Sequence, residues 1–491
     1  MLKNRIKIFK YSGIICISLL AACSVKPLVK KTENTSTPTS YNTKDSTNVK
    51  DSTNTAMKLK WNEYFTDSNL VALIDTALVR NQELNIMLQE IRIAKYEIKA
   101  RKGAYLPFVD AGVGAGFEKV GQYTSQGASD ATNNITPGKK VPVNLPNYTF
   151  GAMASWEVDI WKKLRNAKKS AVYSFLATDL GRKFMVTRLV AEIANSYYEL
   201  MSLDNQLSIL QANIQIQQNA LEMVKLEKQS ARVTELAVRR FEAEVAKNQS
   251  RQFFIMQQIT ETQNRINFLV GRFPQPIKRN SAQFINLKLD SIYTGIPSQL
   301  LENRPDIKQA ENRLSATKID VKVAKAQFYP TFMISAGLGY AAFNPQYLVT
   351  SPQSIIYSLG GQLVGPVINR NAIKANYWSA NARQVQAVYD YERTILNAYI
   401  EVANQQANIS NLQKSYSYQS MQVDALVGSI DISTGLFRNA RADYMEVLLT
   451  QRDALEARFE LIETKKKQMN AKVNIYQALG GGWDKAVTVV R

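Results

Sequence analysis

Glu157 and Asp159 stand two residues apart in an alternating segment, so a strand would carry both carboxylates on one face. Paired carboxylates are the residue types of acid and base in glycoside hydrolysis. Nothing else in the sequence builds a sugar cleft around them, and a place at a strand-to-helix junction, near a lumen, suits them better. Gly480-Gly481-Gly482 suggests a phosphate loop, but no helix start or Lys-Ser/Thr follows in P-loop order, so a helix C-cap is expected. Asn303-Arg304-Pro305-Asp306 is charged, yet Pro305 suits a first helical position and Asp306 the positive end of a helix. Histidine, the commonest general base and metal ligand, is absent from all 491 residues. That argues against zinc enzymes, His-based triads and haem proteins. The reading is of a protein that is not an enzyme.

Two cysteines cannot build a disulfide framework or a four-ligand metal site. Each has a simpler place. Lys3, Arg5, Lys7 and Lys10 form a basic leader ahead of a short apolar stretch ending near Ala22, the pattern of a signal peptide over 1–22. Leu20-Ala21-Ala22-Cys23 resembles the bacterial lipobox, in which the cysteine is acylated and becomes the first mature residue. Cys16 then leaves with the signal and Cys23 carries covalent lipid. Loss of the leader's four cations lowers the formal charge from +20 to +16. On an exported lipoprotein that charge does not point to nucleic acid. Ser24-Val25-Lys26-Pro27 contains no acidic residue, which favours delivery to the outer membrane. Residues 23–59 are rich in Thr, Ser and Asn, repeat Lys-Asp-Ser-Thr-Asn at 44–48 and 50–54, and read as a disordered tether.

The elements that follow come twice. Ala94–Lys99 ahead of Tyr105-Leu106-Pro107 matches Thr317–Lys322 ahead of Phe328-Tyr329-Pro330. Asn195–Leu200 matches Asn397–Val402, and Ser230-Ala231-Arg232 matches Asn439-Ala440-Arg441. The spacing between copies changes by one heptad along the second half, which keeps the same helix face inward. The first copy spans 60–295 and the second 296–484, with a tail at 485–491.

After each proline comes a period of two. Val109, Ala111, Val113, Ala115 and Phe117 alternate with Asp110 and three glycines, and Phe150–Val158, Phe332–Tyr340 and, more weakly, Ile355–Val364 repeat the pattern. These β-hairpins, about 106–160 and 329–367, have the strand length and the apolar/small alternation of tilted membrane strands. Residues 118–147 read as a long polar loop. Elsewhere the period is helical. Leu189, Ile193, Ser196, Leu200, Leu203, Leu207, Leu210, Ile214, Gln217, Leu221 and Val224 follow strict 4-3 spacing, a coiled-coil seam. One helix over 163–229 would be about 100 Å long, and helices over 68–103 and 233–270 laid end to end would match it at about 111 Å. Coiled-coil hairpins are thus expected at 163–270 and 370–479. Four strands cannot close a barrel, and open edges are not tolerated in lipid, so the chain must oligomerise.

Taken in order, Trp156–Trp161, Gly271-Arg272-Phe273-Pro274, Ile296–Leu301, Asn303–Ile307, Gly365-Pro366-Val367, Asp443–Leu448 and Ala478–Trp483 resemble the TolC-like outer-membrane efflux ducts, lipoprotein branch. The resemblance covers about residues 60–484. It implies a membrane α+β fold: a homotrimer whose strands form a 12-stranded outer-membrane β-barrel on a 12-helix periplasmic α-barrel. It implies no cofactor beyond the lipid on Cys23. It implies a periplasmic adaptor and an inner-membrane pump, often of the resistance–nodulation–division type, as partners. The family's hairpin tips constrict the tunnel, and the matching positions are Gln229–Glu235 and Phe437–Glu446. Arg232, Arg441, Asp443 and Glu446 are accordingly expected to form a charged gate, with Ala440 standing where the family often has glycine. Export of small toxic molecules or ions leads; a type I protein-secretion duct or a coiled-coil structural lipoprotein are the alternatives.

Overall fold

The structure, a computed structural model, describes residues 28–41, 60–288, 295–366, 368, 370–439 and 441–483. The signal peptide, Cys23, Ala440 and the 485–491 tail lie outside the described residues. The elements are α1 (Trp61–Tyr64), α2 (Ser68–Arg80), α3 (Gln82–Gly103), β1 (Phe108–Glu118), α4 (Ser125–Thr132), β2 (Asn134–Thr136), β3 (Lys139–Lys140), β4 (Leu145–Val158), α5 (Lys163–Gln229) and α6 (Glu235–Val270). They continue through α7 (Gln299–Asn303), α8 (Pro305–Ala326), β5 (Thr331–Ala342), β6 (Ile355–Val364), α9 (Asn371–Arg438) and α10 (Tyr444–Ala478). No described helix is long and apolar enough to cross a membrane.

The chain divides into two compact units. One holds the sheet and the helix ends adjoining it, residues 93–175 and 312–388, with the segment up to 32. Its four strands run antiparallel in the order β1-β4-β5-β6. The other is helical and holds residues 33–92, 176–311 and 389–491.

In the helical unit, ten of the eleven seam residues of α5 are buried, Leu207 being the half-buried one. Of the seam's two polar members, Ser196 and Gln217, the second has a side-chain partner: Asn248 of α6 donates its amide N–H to Gln217 Oε1 at 2.8 Å, with both residues buried. A single buried polar pair of this kind sets register, since any slip strands both amides in an apolar seam.

Three expectations need correcting. Residues 68–103 are not one helix: Asn81 breaks them, its backbone turning extended while its side-chain Oδ1 accepts from Leu84 N–H at 3.0 Å and caps α3. The 118–147 loop contains α4, capped by Thr124 Oγ1 accepting from Gly127 N–H, and the small β2–β3 hairpin, turned by left-handed Gly138. Neither carries enough apolar residues to show a period. The tether also is not uniformly unstructured. In the first unit Leu28 packs against a cluster of Phe328, Tyr377, Ala324 and Ala380. In the second, Asn34 N–H donates to Glu392 at 3.0 Å, and buried Tyr41 stacks on Tyr399 at 5.3 Å.

Candidate functional site

Register is what turns four separate alternations into a surface. Residues paired across an antiparallel ladder point the same way. Val113 pairs with Phe150, Phe150 with Tyr340, and Tyr340 with Ile355. Two residues along, Ala111, Ala152, Leu338 and Tyr357 form the next row, then Val109, Ala154, Ala336 and Leu359. Every apolar set therefore lies on one face. The other face carries Gly112, Gly151, Gly339 and Ile356 in one row and Phe108, Ser155, Ser335 and Gly360 in another, small residues predominating. Among the described residues nothing covers much of the apolar face: Val113, Phe117, Tyr357 and Leu359 are each more than three-quarters exposed. A contiguous exposed apolar sheet face of this kind is built for lipid or for a partner.

The small-residue face is tightly closed at its centre. A Cβ on Gly151 would sit 2.6 Å from the Leu338 carbonyl oxygen and 2.8 Å from Gly339 Cα. A Cβ on Gly339 would strike the Phe150 carbonyl and lie 2.9 Å from Gly151 Cα. The backbones of β4 and β5 leave no room here for a side chain on either residue.

At the junctions below the sheet, Glu157 and Asp159 do not share a site. Glu157 ends β4 and pairs with Lys163. Asp159 lies past the strand and caps α5, accepting from Leu164 N–H at 3.0 Å, Arg165 N–H at 2.9 Å and the Arg165 guanidinium at 3.1 Å. Burial would raise its pKa, but those donors outweigh it and hold the carboxyl below the usual range.

The helical unit repeats one joint twice with different chemistry. In the first copy, Asn81 at the α2–α3 break donates to the Leu269 carbonyl at 2.9 Å, two residues before left-handed Gly271. In the second, Arg304 at the α7–α8 break donates to the Ala478 carbonyl at 2.7 Å, two residues before left-handed Gly480. Each glycine packs on the break itself. A Cβ on Gly271 would strike the Arg80 carbonyl, and one on Gly480 would lie 3.0 Å from the Asn303 oxygen and 3.1 Å from Arg304 Cα. Both glycines are the helix C-cap type, with φ near +76° and +81°. Arg304 is buried and forked onto Asp306 at 3.0 and 2.7 Å, and reaches Glu401 at 2.7 Å. Burial would lower its pKa, but the two carboxylates outweigh that and keep the guanidinium charged. Pro305 opens α8, as its sequence position suggests. What the motif alone missed is Arg304, whose partners lie far away in sequence.

The matched tyrosines divide similarly. Tyr197 donates to Asp67, the N-cap of α2, at 2.8 Å, while Tyr399 donates to the Ser40 carbonyl at 3.3 Å.

The expected gate residues sit at the two hairpin tips. Arg232 follows left-handed Ala231 and its N–H bonds back to the Glu227 carbonyl; Arg441 N–H does the same to Leu436. Asp443 is the N-cap residue of α10 and Glu446 lies in its first turn. All four side chains are exposed, and among the described residues no ion pair joins any two of them. A single chain instead pairs Glu235 with Lys228 and with Arg239, the latter at 2.8 Å. The tips themselves meet where the Arg240 guanidinium lies 2.9 Å from Met445 Sδ, over a core of Val238, Phe241 and Leu448. The i,i+4 spacing of Glu235 and Arg239 signals their pair in the sequence; nothing local signals Arg240 and Met445.

A profile of outer membrane efflux proteins matches residues 73–272 and again 296–481. The chain belongs to the outer membrane efflux protein family. The two matched stretches fall within the two stretches 60–295 and 296–484. It is 27% identical over 424 residues to the pyoverdine export outer membrane protein OpmQ of Pseudomonas aeruginosa, covering 86% of this chain and 87% of that protein. It is 25% identical over 426 residues to the cation efflux system protein CusC of Escherichia coli O6:H1, covering 86% and 88%. The crystal structure of the Campylobacter jejuni CmeC outer membrane channel shares the fold, with a TM-score of 0.82 at 18% identity over 94% of this chain and 95% of that one. As an outer membrane efflux protein the chain is the outer-membrane component of an efflux system, and its relatives are channels rather than enzymes. The reading of a coiled-coil spacer with no membrane sheet is thereby set aside.

Proposed function

We propose that three copies of this chain close into a passive exit duct, lipid-anchored at Cys23, that receives small toxic molecules or ions from an inner-membrane pump through a periplasmic adaptor. The register carries the reading. It gathers most apolar strand residues on one exposed face, with Phe108, Met153 and Ile356 on the other, and leaves β1 and β6 as edges with no neighbour among the described strands. In hydrocarbon each unpaired backbone group costs several kcal/mol, so those edges must meet other copies. Three copies supply twelve strands, enough for a water-filled bore. A heat-modifiable trimer that resists sodium dodecyl sulfate and conducts ions in planar bilayers is expected; a non-conducting monomer overturns the reading. Two relatives carry names for unlike cargo, pyoverdine and cations, which fits a bore that conducts and a pump that selects. A protein-secretion duct would co-purify with an ATP-driven exporter instead.

The gate reading belongs to the trimer. Exposed Asp443 and Glu446 on one tip have no cationic partner within their own chain among the described residues, so Arg232 and Arg441 of adjacent tips supply it. Asp443→Ala with Glu446→Ala is expected to raise closed-state single-channel conductance and antibiotic uptake. Unchanged conductance sinks the gate.

Cys23 has its own test. Leu28 is packed, and the five Cα-to-Cα steps from Cys23 to Leu28 extend at most about 18 Å, so the acyl chains would lie close to this cluster. Cys23→Ala is expected to abolish labelling by radioactive palmitate and to leave the barrel in the membrane, since strand burial does not need the lipid. A wild-type chain that takes up no palmitate removes the anchor.

A further inference from the structure

Each of the four places where a helix meets a strand of the sheet carries exposed lysines. Lys102 lies in the last turn of α3, Lys162 and Lys169 border the start of α5, Lys322 and Lys325 end α8, and Lys374 is in the first turn of α9. Among the described residues none of the six pairs with a carboxylate. Three acidic residues nearby are taken, Glu97 by Arg101, Glu157 by Lys163 and Asp159 by Arg165, which leaves exposed Asp320 of α8 as a single carboxylate against the six lysines.

Helix stability does not account for the whole set. Cations at the ends of α3 and α8 complement the helix dipole, but those at the start of α5 and α9 oppose it. Neither first turn contains an acidic residue. The opposite end of the sheet is different. Residues 343–354 of the β5–β6 connection contain no charged residue, and the β1–β4 connection carries Lys119, Lys139 and Lys140 against Asp130. The lysines are thus concentrated at the helix end of the strands.

Apolar side chains share that end. Trp378 of α9 has 52% of its surface exposed, and Trp161 has 43% with its indole stacked on Tyr329. Exposed aromatics next to long cationic side chains are the composition of a membrane–water boundary, where rings sit at headgroup depth and lysines reach outward to phosphates.

We propose that these lysines form a collar that binds the phosphates of anionic phospholipids in the periplasmic leaflet. The proposal rests on the sheet standing in lipid. The collar places one or two cations beneath every strand, so a closed barrel would be ringed by them. Each cation near an anionic surface strengthens attraction by roughly five-fold, and the gain is screened by salt.

The test uses the full-length chain reconstituted in two vesicle types, phosphatidylcholine alone and phosphatidylcholine with phosphatidylglycerol. The protein is re-extracted in detergent and the retained lipid counted by native mass spectrometry. The wild type is expected to retain phosphatidylglycerol over phosphatidylcholine beyond their ratio in the vesicle. The variant Lys162→Gln, Lys169→Gln, Lys322→Gln, Lys325→Gln is expected to lose most of that preference, by roughly five-fold or more. Lys139→Gln with Lys140→Gln, at the other end of the strands, is expected to keep it. Heat-modifiability confirms that each variant is folded; if the quadruple variant is not, the pairs Lys162→Gln/Lys169→Gln and Lys322→Gln/Lys325→Gln are each expected to lower the preference by roughly five-fold or more. A wild type without preference, or a folded quadruple variant that retains it, overturns the collar. So does a quadruple variant that changes only the ion selectivity of the pore, which would turn the lysines toward the water passage. A wild type that floats with neither vesicle overturns the collar together with the membrane placement of the sheet, whereas one that floats without preference overturns the collar alone.

Discussion

Arg304→Ala is expected to destabilise the helical unit by about 3–5 kcal/mol, the cost of breaking a buried ion pair by removing one partner. The substitution leaves Asp306 without its fork and the Ala478 carbonyl without its donor, in a site where Arg304 is 3% exposed. Glu401 loses less, because its side chain is half exposed and water can replace the guanidinium. Arg304→Lys keeps the charge but cannot fork onto Asp306 and reach Ala478 together, so it falls between. The matched variant Asn81→Ala removes only neutral hydrogen bonds, to Leu269 and Leu84, and is expected to cost about 1–3 kcal/mol. Urea unfolding followed by tryptophan fluorescence reads the difference, since the Trp483 indole donates to the Asn303 carbonyl beside the joint. Equal losses for Arg304→Ala and Asn81→Ala would show that the arginine's charge contributes nothing.

Gly339→Val is expected to prevent a folded sheet. The new branched side chain would start from a Cβ already in collision with the Phe150 carbonyl and 2.9 Å from Gly151 Cα. Both obstacles are backbone held in the β4–β5 ladder, so no rotamer change relieves them. Gly339→Ala meets the same backbone with one carbon and should cost at least the 1–3 kcal/mol or so typical of overpacking. Gly112 and Gly116 have open space around a built Cβ, so Gly112→Ala and Gly116→Ala on the same face should be tolerated. The measurement is the amount of heat-modifiable protein in the outer-membrane fraction. Equal yields from Gly339→Val and Gly116→Ala would mean that β4 and β5 do not pinch.

Different parts of this molecule were legible at different ranges. The helix over 163–229 could be read residue by residue because a 4-3 period is a local property: each turn repeats the instruction. The strands after Pro107 and Pro330 were equally plain, since a period of two needs only a few neighbours. The break at Asn81 was not, because asparagine is tolerated within helices and acts as a cap only where its amide has a distant carbonyl to reach, here Leu269. The same holds for the segment around Tyr41. Its composition is that of a disordered chain, and its order comes from Tyr399 and Glu392, more than 350 residues away. Arg232, Arg441, Asp443 and Glu446 lie at the two hairpin tips, but within one chain no ion pair among the described residues joins them, and no local spacing encodes what they meet.

The sequence by itself therefore determined the duplication, the kind of each long element, and the division of each strand into an apolar and a small-residue side. All of these are written in spacing, and spacing needs no partner. Only the tertiary structure decided that the four apolar sides coincide, that Gly151 and Gly339 meet, and that Asn81 and Arg304 build the same joint from an amide and a guanidinium. Those outcomes depend on register and on donors matched to acceptors across some 174 to 188 residues of chain. A hydrogen bond of that reach is chosen by packing geometry, and no local period encodes it.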